Sequence, residues 1–256
     1  MAAPAVDPKI YTGIVLDFET GGLDATRCAC TQIAMQSVRF DTWDLIDRQA
    51  CYILPYNRQE IGISKRKVLR SRREVEQGLD GVLMDYESVA LNYAGITMDQ
   101  LHESGIDIRD VAAAVIRMAE GATLSKGPQC KPVLIGQNIT FDIAFMQQLM
   151  NYAGMVKEFE KAFAGSKDFY GNFQPHYIDT IDLARLALAH DPGVSSYKLE
   201  LICERMGIEL DDAHDADADV TATLQVARLC SARLRNTSQA DAGMTKQQKT
   251  REHFKI

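Results

Sequence analysis

Asp17 and Glu19 stand two positions apart at the end of a mostly apolar, β-branched run (residues 10–18, IYTGIVLDF) that breaks off in ETGGL. Residues two apart in an extended strand point to the same face, so this spacing sets two carboxylates side by side. Two further segments carry acids in comparable places. Asp142 follows Asn138 across the junction between the short apolar run KPVLIGQ and an amphipathic stretch, and Asp219 closes the run HDADAD, which begins at His214. Each acid alone has an ordinary explanation: an Asp at a strand end forms a turn, Asp142 can cap or solvate a helix start, and acids in the first turn of a helix suit its macrodipole. Together, in one chain and in this order, they are better explained by a shared cation. Hard oxygen ligands without thiolate select Mg²⁺ or Mn²⁺ over zinc, and two such ions about 3.5 to 4 Å apart suit phosphodiester hydrolysis. Four carboxylates balance the four positive charges of two ions. His214 suits the role of general base, because an imidazole titrates near neutrality and is not needed as a magnesium ligand.

The elements that must carry these residues are legible from periodicity. The run at 10–18 predicts a buried strand entering a tight turn, and TQIAMQSVRF (31–40) and WDLIDRQACYIL (43–54) predict an antiparallel meander with it. From about residue 85 the apolar spacing becomes helical through YESVALNYAG, TMDQLHESG and DIRDVAAAVIRMAEG, with Thr97 and Asp107 as N-caps. A short buried strand at 131–137 leads into the helix TFDIAFMQQLMNYAG, which ends at Gly154; a strand around HYIDTI precedes LARLALAH, and helices SSYKLELICERMG and AHDADADVTATLQVARLCSARLR follow. Three antiparallel strands followed by α/β alternation predict an α/β domain with a mixed sheet and helices on its faces.

The stretches VLDFETGGL, IGQNITFDIAFM and HDADADVTAT resemble the three motifs of the DEDDh 3′ to 5′ exonucleases, a family that includes polymerase proofreading subunits, ribonuclease T and oligoribonuclease. The resemblance runs from about residue 11 to 232 and is interrupted by a basic insertion. It implies a ribonuclease H-like fold with a mixed five-stranded sheet, three antiparallel strands then two parallel, flanked by helices. It also implies metal-dependent release of 5′-mononucleotides from the 3′ end of a single strand. Carried onto this sequence, Asp17, Glu19, Asp142 and Asp219 are the metal-binding acids for two Mg²⁺ or Mn²⁺ ions, and His214 is the catalytic histidine. The same resemblance implies substrate contacts. Backbone N–H groups of Thr20 and Gly21 meet the terminal sugar, Leu23 wedges between the last bases, and Phe141 and Tyr93 stack on them, with Asn138 in the second motif. Tyr93 reads equally well as a packing residue. Many relatives have His-Asn where this chain has Gln137-Asn138, and a glutamine hydrogen-bonds but does not ionise. The motifs do not separate proofreading on DNA from RNA 3′-end trimming or oligoribonuclease activity. DNA is slightly favoured. A catalytically silent nucleic-acid-binding adaptor is disfavoured because all four acids and the histidine are present.

Composition bounds the rest. The chain has 256 residues, 46% hydrophobic and 25% charged, with a formal net charge of −7, which excludes a disordered or fibrous protein and one held on nucleic acid by bulk charge alone. One domain is expected over 1–236, with a basic insertion at about 57–84, and a polar tail at 237–256. The insertion concentrates Lys65, Arg66, Lys67, Arg70, Arg72 and Arg73 in nine positions, which fits either an arm gripping a nucleic-acid backbone or a solvated surface. Six scattered cysteines read as reduced thiols in a cytoplasmic compartment. The first ten residues lack a basic n-region and apolar core, and no apolar run is long enough to span a bilayer. The expected partner is the 3′ end of a single strand, with a DNA polymerase or clamp as a further candidate and a homodimer as a weak expectation from the resemblance.

Overall fold

A computed structural model describes residues 9–59, 82–210 and 215–235. Strand β1 (Thr12–Thr20) pairs antiparallel with β2 (Cys30–Arg39), which pairs antiparallel with β3 (Leu45–Tyr52). Two short strands, β4 (Val133–Gly136) and β7 (Tyr177–Asp179), add in parallel on the other side of β1, giving the order β3-β2-β1-β4-β7. The chain thus has the mixed five-stranded sheet expected. β2 is buried at every position except Arg39, and its buried polar residues Thr31, Gln32, Gln36 and Ser37 fall on both faces, which explains why its sequence alternates only weakly. β3, the edge strand, is exposed or half-buried throughout. It starts at Leu45 rather than near residue 43 because Trp43 takes a left-handed φ of 63° in the connecting turn, its N–H donating to the Arg39 carbonyl at 2.9 Å.

The alternation along β1 divides the core. Ile14, Leu16 and Phe18 face helices α3 (Ile108–Gly121) and α4 (Thr140–Ala153), meeting Val111, Val115, Phe145, Met146 and Leu149. Full burial of such side chains stabilises by about 1.5 to 3 kcal/mol each. Val15 faces the opposite way, where Ala34, Val38 and Ile135 receive Ala216, Val220, Leu224 and Ala227 of the long helix α8 (Ala216–Arg235). Asp17 and Glu19 share the parity of Val15. They therefore emerge on the α8 side, at the end of β1 toward which the parallel strand β4 also runs.

Two short helices, α1 (Ser88–Tyr93) and α2 (Met98–Ser104), lead into α3. Thr97 caps α2 by accepting from the Gln100 N–H, and Asp107 caps α3 by accepting from Arg109, both as the sequence predicts. α4 ends where Gly154 adopts φ 73°, a left-handed cap that suits glycine. Between α4 and β7 lie helix α5 (Val156–Ala162) and a small hairpin, β5 (Gly165–Lys167) with β6 (Phe173–Pro175), neither marked by a hydrophobic period. Helix α6 (Thr180–Ala187), capped by Asp179, and helix α7 (Leu199–Met206) complete the domain. All six cysteines are free, and no described helix is long and apolar enough to cross a membrane. Lys65 to Arg73, His214 and the tail from residue 236 lie outside the described residues.

Candidate active site

The first pair of acids is set by β1 itself. Glu19 is the last residue before a register shift between Glu19 and Thr20, and such a bulge locally bends the strand that carries it. The third acid arrives from α8, whose first turns are held over the sheet by three polar rungs. Gln32 Nε2 donates to Asp215 Oδ1 at 2.8 Å, Arg48 Nε donates to Asp217 Oδ1 at 3.0 Å, and Gln36 Nε2 donates to Thr221 Oγ1 at 2.8 Å. Arg48 and Asp217 also form an ion pair. With the helix so placed, carboxylate oxygens of Asp17, Glu19 and Asp219 all come within 4.8 Å of one another. Asp142, in the first turn of α4 and only 3% exposed, flanks this cluster. Its Oδ1 accepts the N–H of Phe18, the residue between Asp17 and Glu19, at 3.0 Å.

Asp17, Glu19 and Asp142 resist ionisation here. Burial, reinforced by Asp219 and Asp215, pushes Asp17 up to about 7. Burial and the charges of Asp17, Asp219 and Asp215 push Glu19 up to about 8. Asp142 is raised well above its ordinary value, first by burial and then by Asp17, although the Phe18 N–H works in the other direction. Among the described residues no lysine or arginine forms an ion pair with Asp17, Glu19 or Asp142. Carboxylates crowded in this way fit a divalent cation, which brings positive charge and takes hard oxygen ligands. The sequence reading anticipated the four acids but not Asp215 or Gln32. Asp215 adds a fifth carboxylate to the field, anchored by a glutamine 183 positions away in sequence, a separation at which no local pattern operates.

The other residues singled out by sequence fall around this cluster. Thr20 Oγ1 donates to the Gly22 carbonyl at 2.8 Å, which tightens the turn after β1. The Gly21 N–H, expected to face a terminal sugar, donates instead to the Ala29 carbonyl at 2.8 Å, because the loop closes back on the start of β2. Leu23 stands at the crest of the turn, 86% exposed. Tyr93 is 66% exposed on α1, and Val89, one turn earlier and 78% exposed, shares its face. Sequence reasoning did not single out Val89. Phe141 is half-buried, its ring 5.0 Å from that of Phe145. Asn138 is exposed in a left-handed conformation, φ 54°, with its N–H on Asp179 Oδ1 at 3.2 Å. Gln137, in the place of the family histidine, holds the chain together: its Nε2 donates to the Tyr197 carbonyl at 2.7 Å and its Oε1 accepts from Thr180 Oγ1 at 2.6 Å.

Comparison with known proteins gives concordant results. The family model RNase_T, described as exonuclease, matches residues 87–227, more than half of the chain. That segment holds Asp142, His214 and Asp219; Asp17 and Glu19 precede it on β1, which pairs with β4 inside it. Exodeoxyribonuclease I of Haemophilus influenzae is 27% identical over 150 residues, 55% of this chain and 28% of that protein. Among solved structures, E. coli exonuclease I in complex with a dT13 oligonucleotide superposes with a TM-score of 0.59 at 20% identity, covering 90% of this chain and 43% of that one. The zinc-bound form of the complex of E. coli ExoI with single-stranded DNA superposes at 0.57 and 21% identity, covering 91% and 42%. The chain therefore has the ribonuclease H-like exonuclease fold and spans less than half the length of the relatives it matches.

Proposed function

The chain belongs to the exonuclease family whose model it matches, and on that premise we propose that it is a metal-dependent 3′ to 5′ exonuclease acting on single-stranded nucleic acid, DNA in preference to RNA, with release of 5′-mononucleotides. The observation that carries this reading is the convergence of Asp17, Glu19 and Asp219 within 4.8 Å, from the end of one strand and the start of one distant helix, with Asp142 beside them through Phe18. These four residues would hold two Mg²⁺ or Mn²⁺ ions, and the chemistry supplied to the site on binding would be a lowered pKa for the attacking water and an offset to the charge on the leaving 3′ oxygen. The preference for DNA is supported by the relatives, which are an exodeoxyribonuclease I and exonuclease I in complexes with DNA.

The chain's own residues supply the remaining steps. His214 takes the proton from the attacking water. It directly precedes Asp215 in the sequence, whose carboxylate is fixed by Gln32. Leu23 wedges against the last bases, with Tyr93 and Phe141 as stacking surfaces, and Thr20 and Asn138 line the approach. Lys65 to Arg73 grip the backbone of the strand leading to the site. A panel of single-stranded DNA, paired and mismatched primer ends, RNA, and di- to pentanucleotides, with products resolved by length, tests polarity and substrate class together. Single-stranded DNA degraded fastest from its 3′ end, with mononucleotide products, is expected; internal cuts or digestion from the 5′ end would refute the reading.

A further inference from the structure

The turn that carries Leu23 is mounted in an unusual way. On its inner side, the buried Gln148 of α4 donates through Nε2 to the carbonyls of Ala25 and Cys28, the latter at 2.9 Å, while its Oε1 accepts from the Tyr56 hydroxyl at 2.6 Å. Tyr56 in turn receives the Cys30 N–H at 2.7 Å. On its outer side the turn is met by residues 82–87. The Asp85 N–H donates to the Arg27 carbonyl at 2.9 Å, the Ala29 N–H donates to the Asp85 carbonyl at 3.1 Å, and the Glu87 N–H donates to the Gly21 carbonyl at 2.8 Å. The approach is so close that a Cβ on Gly21 would lie 2.4 Å from the Asp85 carbonyl oxygen.

The Asp85 side chain ties this contact to a third segment. Its Oδ2 accepts from Arg27 Nη2 at 3.0 Å and its Oδ1 accepts from the Arg58 guanidinium. Arg58 belongs to the stretch leading out of β3, where its N–H donates to the Val82 carbonyl at 2.8 Å and Asn57 bridges antiparallel to Leu83. One carboxylate therefore joins the turn, through Arg27, to a two-stranded junction that is itself hydrogen-bonded to the turn. Ion pairs at partly exposed groups contribute little to stability in general, and Arg27 keeps 66% of its side chain exposed here. What the arrangement fixes is position: Leu23 remains almost fully exposed while the residues on either side of it are anchored.

We infer that Asp85 is a positioning residue, which through Arg27 and Arg58 holds the Leu23 turn at a set distance from the Asp17, Glu19 and Asp219 cluster. This rests on the proposed exonuclease reading, in which Leu23 seats the terminal bases. A displacement of an ångström between a substrate's seat and the reacting groups can cost up to about a hundredfold in rate.

The test is a double-mutant cycle with a 5′-labelled single-stranded DNA oligonucleotide in Mg²⁺, comparing wild type, Asp85→Asn, Leu23→Ala and the double variant. Asp85→Asn is expected to lower kcat/KM about tenfold or more, with Mg²⁺ affinity unchanged. The double variant should be no slower than the slower single variant, because both substitutions remove the same seat. Arg27→Gln, which alters only an exposed partner, should lower kcat/KM in the same direction and keeps the test decisive if Asp85→Asn does not fold. Losses that multiply in the double variant, or an unchanged kcat/KM in Asp85→Asn or Arg27→Gln, would overturn the inference while leaving the exonuclease reading intact. A wild-type protein that leaves the oligonucleotide whole would remove both.

Discussion

Asp17 and Glu19 are held where ionisation is unfavourable without a cation, and that has a measurable sign. Both are pushed above their ordinary values, to about 7 and about 8. A carboxyl raised in the folded state stabilises the fold fully below its unfolded value, near 4, and that contribution is lost as pH rises through the folded value. In chelator, then, wild type should lose stability relative to Asp17→Asn as pH increases from about 5 to 8. The thermal midpoint of the variant minus that of wild type should grow over this range and shrink again when Mg²⁺ is added. A difference that stays flat with pH would contradict the electrostatics of the site. At the same scale, His214→Ala is expected to lower turnover by about a hundredfold or more while leaving Mn²⁺ binding, followed by calorimetry, close to that of wild type.

Helix α8 shows what an element adds to its residues. Asp219 is useful only if the helix stands at the right height above β1, and Gln32, Arg48 and Gln36 set that height from β2 and β3. Gln32 is 7% exposed, so Gln32→Leu leaves the Asp215 carboxylate with only the longer bond from the Asp217 N–H, 3.4 Å, beside three other acids. A loss of about 1 to 3 kcal/mol in urea unfolding is expected, with weaker Mg²⁺ binding than wild type. On the other face of the sheet, Phe145→Ala empties a fully buried position and should cost about 3 to 5 kcal/mol without changing the metal affinity of the protein that remains folded. The two results together would separate placement of the site from support of the core.

The elements were legible in the sequence wherever a local rule specified them. The alternation of β1 foretold the shared face of Asp17 and Glu19, Thr97 and Asp107 announced helix starts, and Gly154 announced a helix end. The rungs beneath α8 and the Gln148 hub were not legible, because each joins residues 90 or more positions apart and nothing in a glutamine's neighbours reveals its partner. The β5–β6 hairpin was missed for a different reason: strands of three residues are too short to show a period. The Gly21 N–H was assigned outward by analogy and turned inward by the closure of its own loop.

At the scale of the molecule, the proposed function requires an acidic protein with a net charge of −7 to hold an anionic strand by local means. The four acids of the proposed metal site account for much of that excess, and Lys65 to Arg73 place six positive charges in one short stretch. Replacing those six by glutamine in a catalytically inert background should flatten the dependence of log affinity on log salt by about 0.7 for each phosphate that is no longer neutralised, measured by anisotropy with a single-stranded oligonucleotide; an unchanged slope would remove the arm from the account. The most direct test of the central claim is a time course with 5′-labelled single-stranded DNA, comparing wild type with Asp17→Asn and Asp219→Asn at fixed Mg²⁺. Wild type should give a ladder shortening from the 3′ end that disappears in chelator, and both variants should leave the substrate essentially intact. Shortening by either variant at the wild-type rate, or by wild type in chelator, would contradict the assignment of the acid cluster as the catalytic metal site.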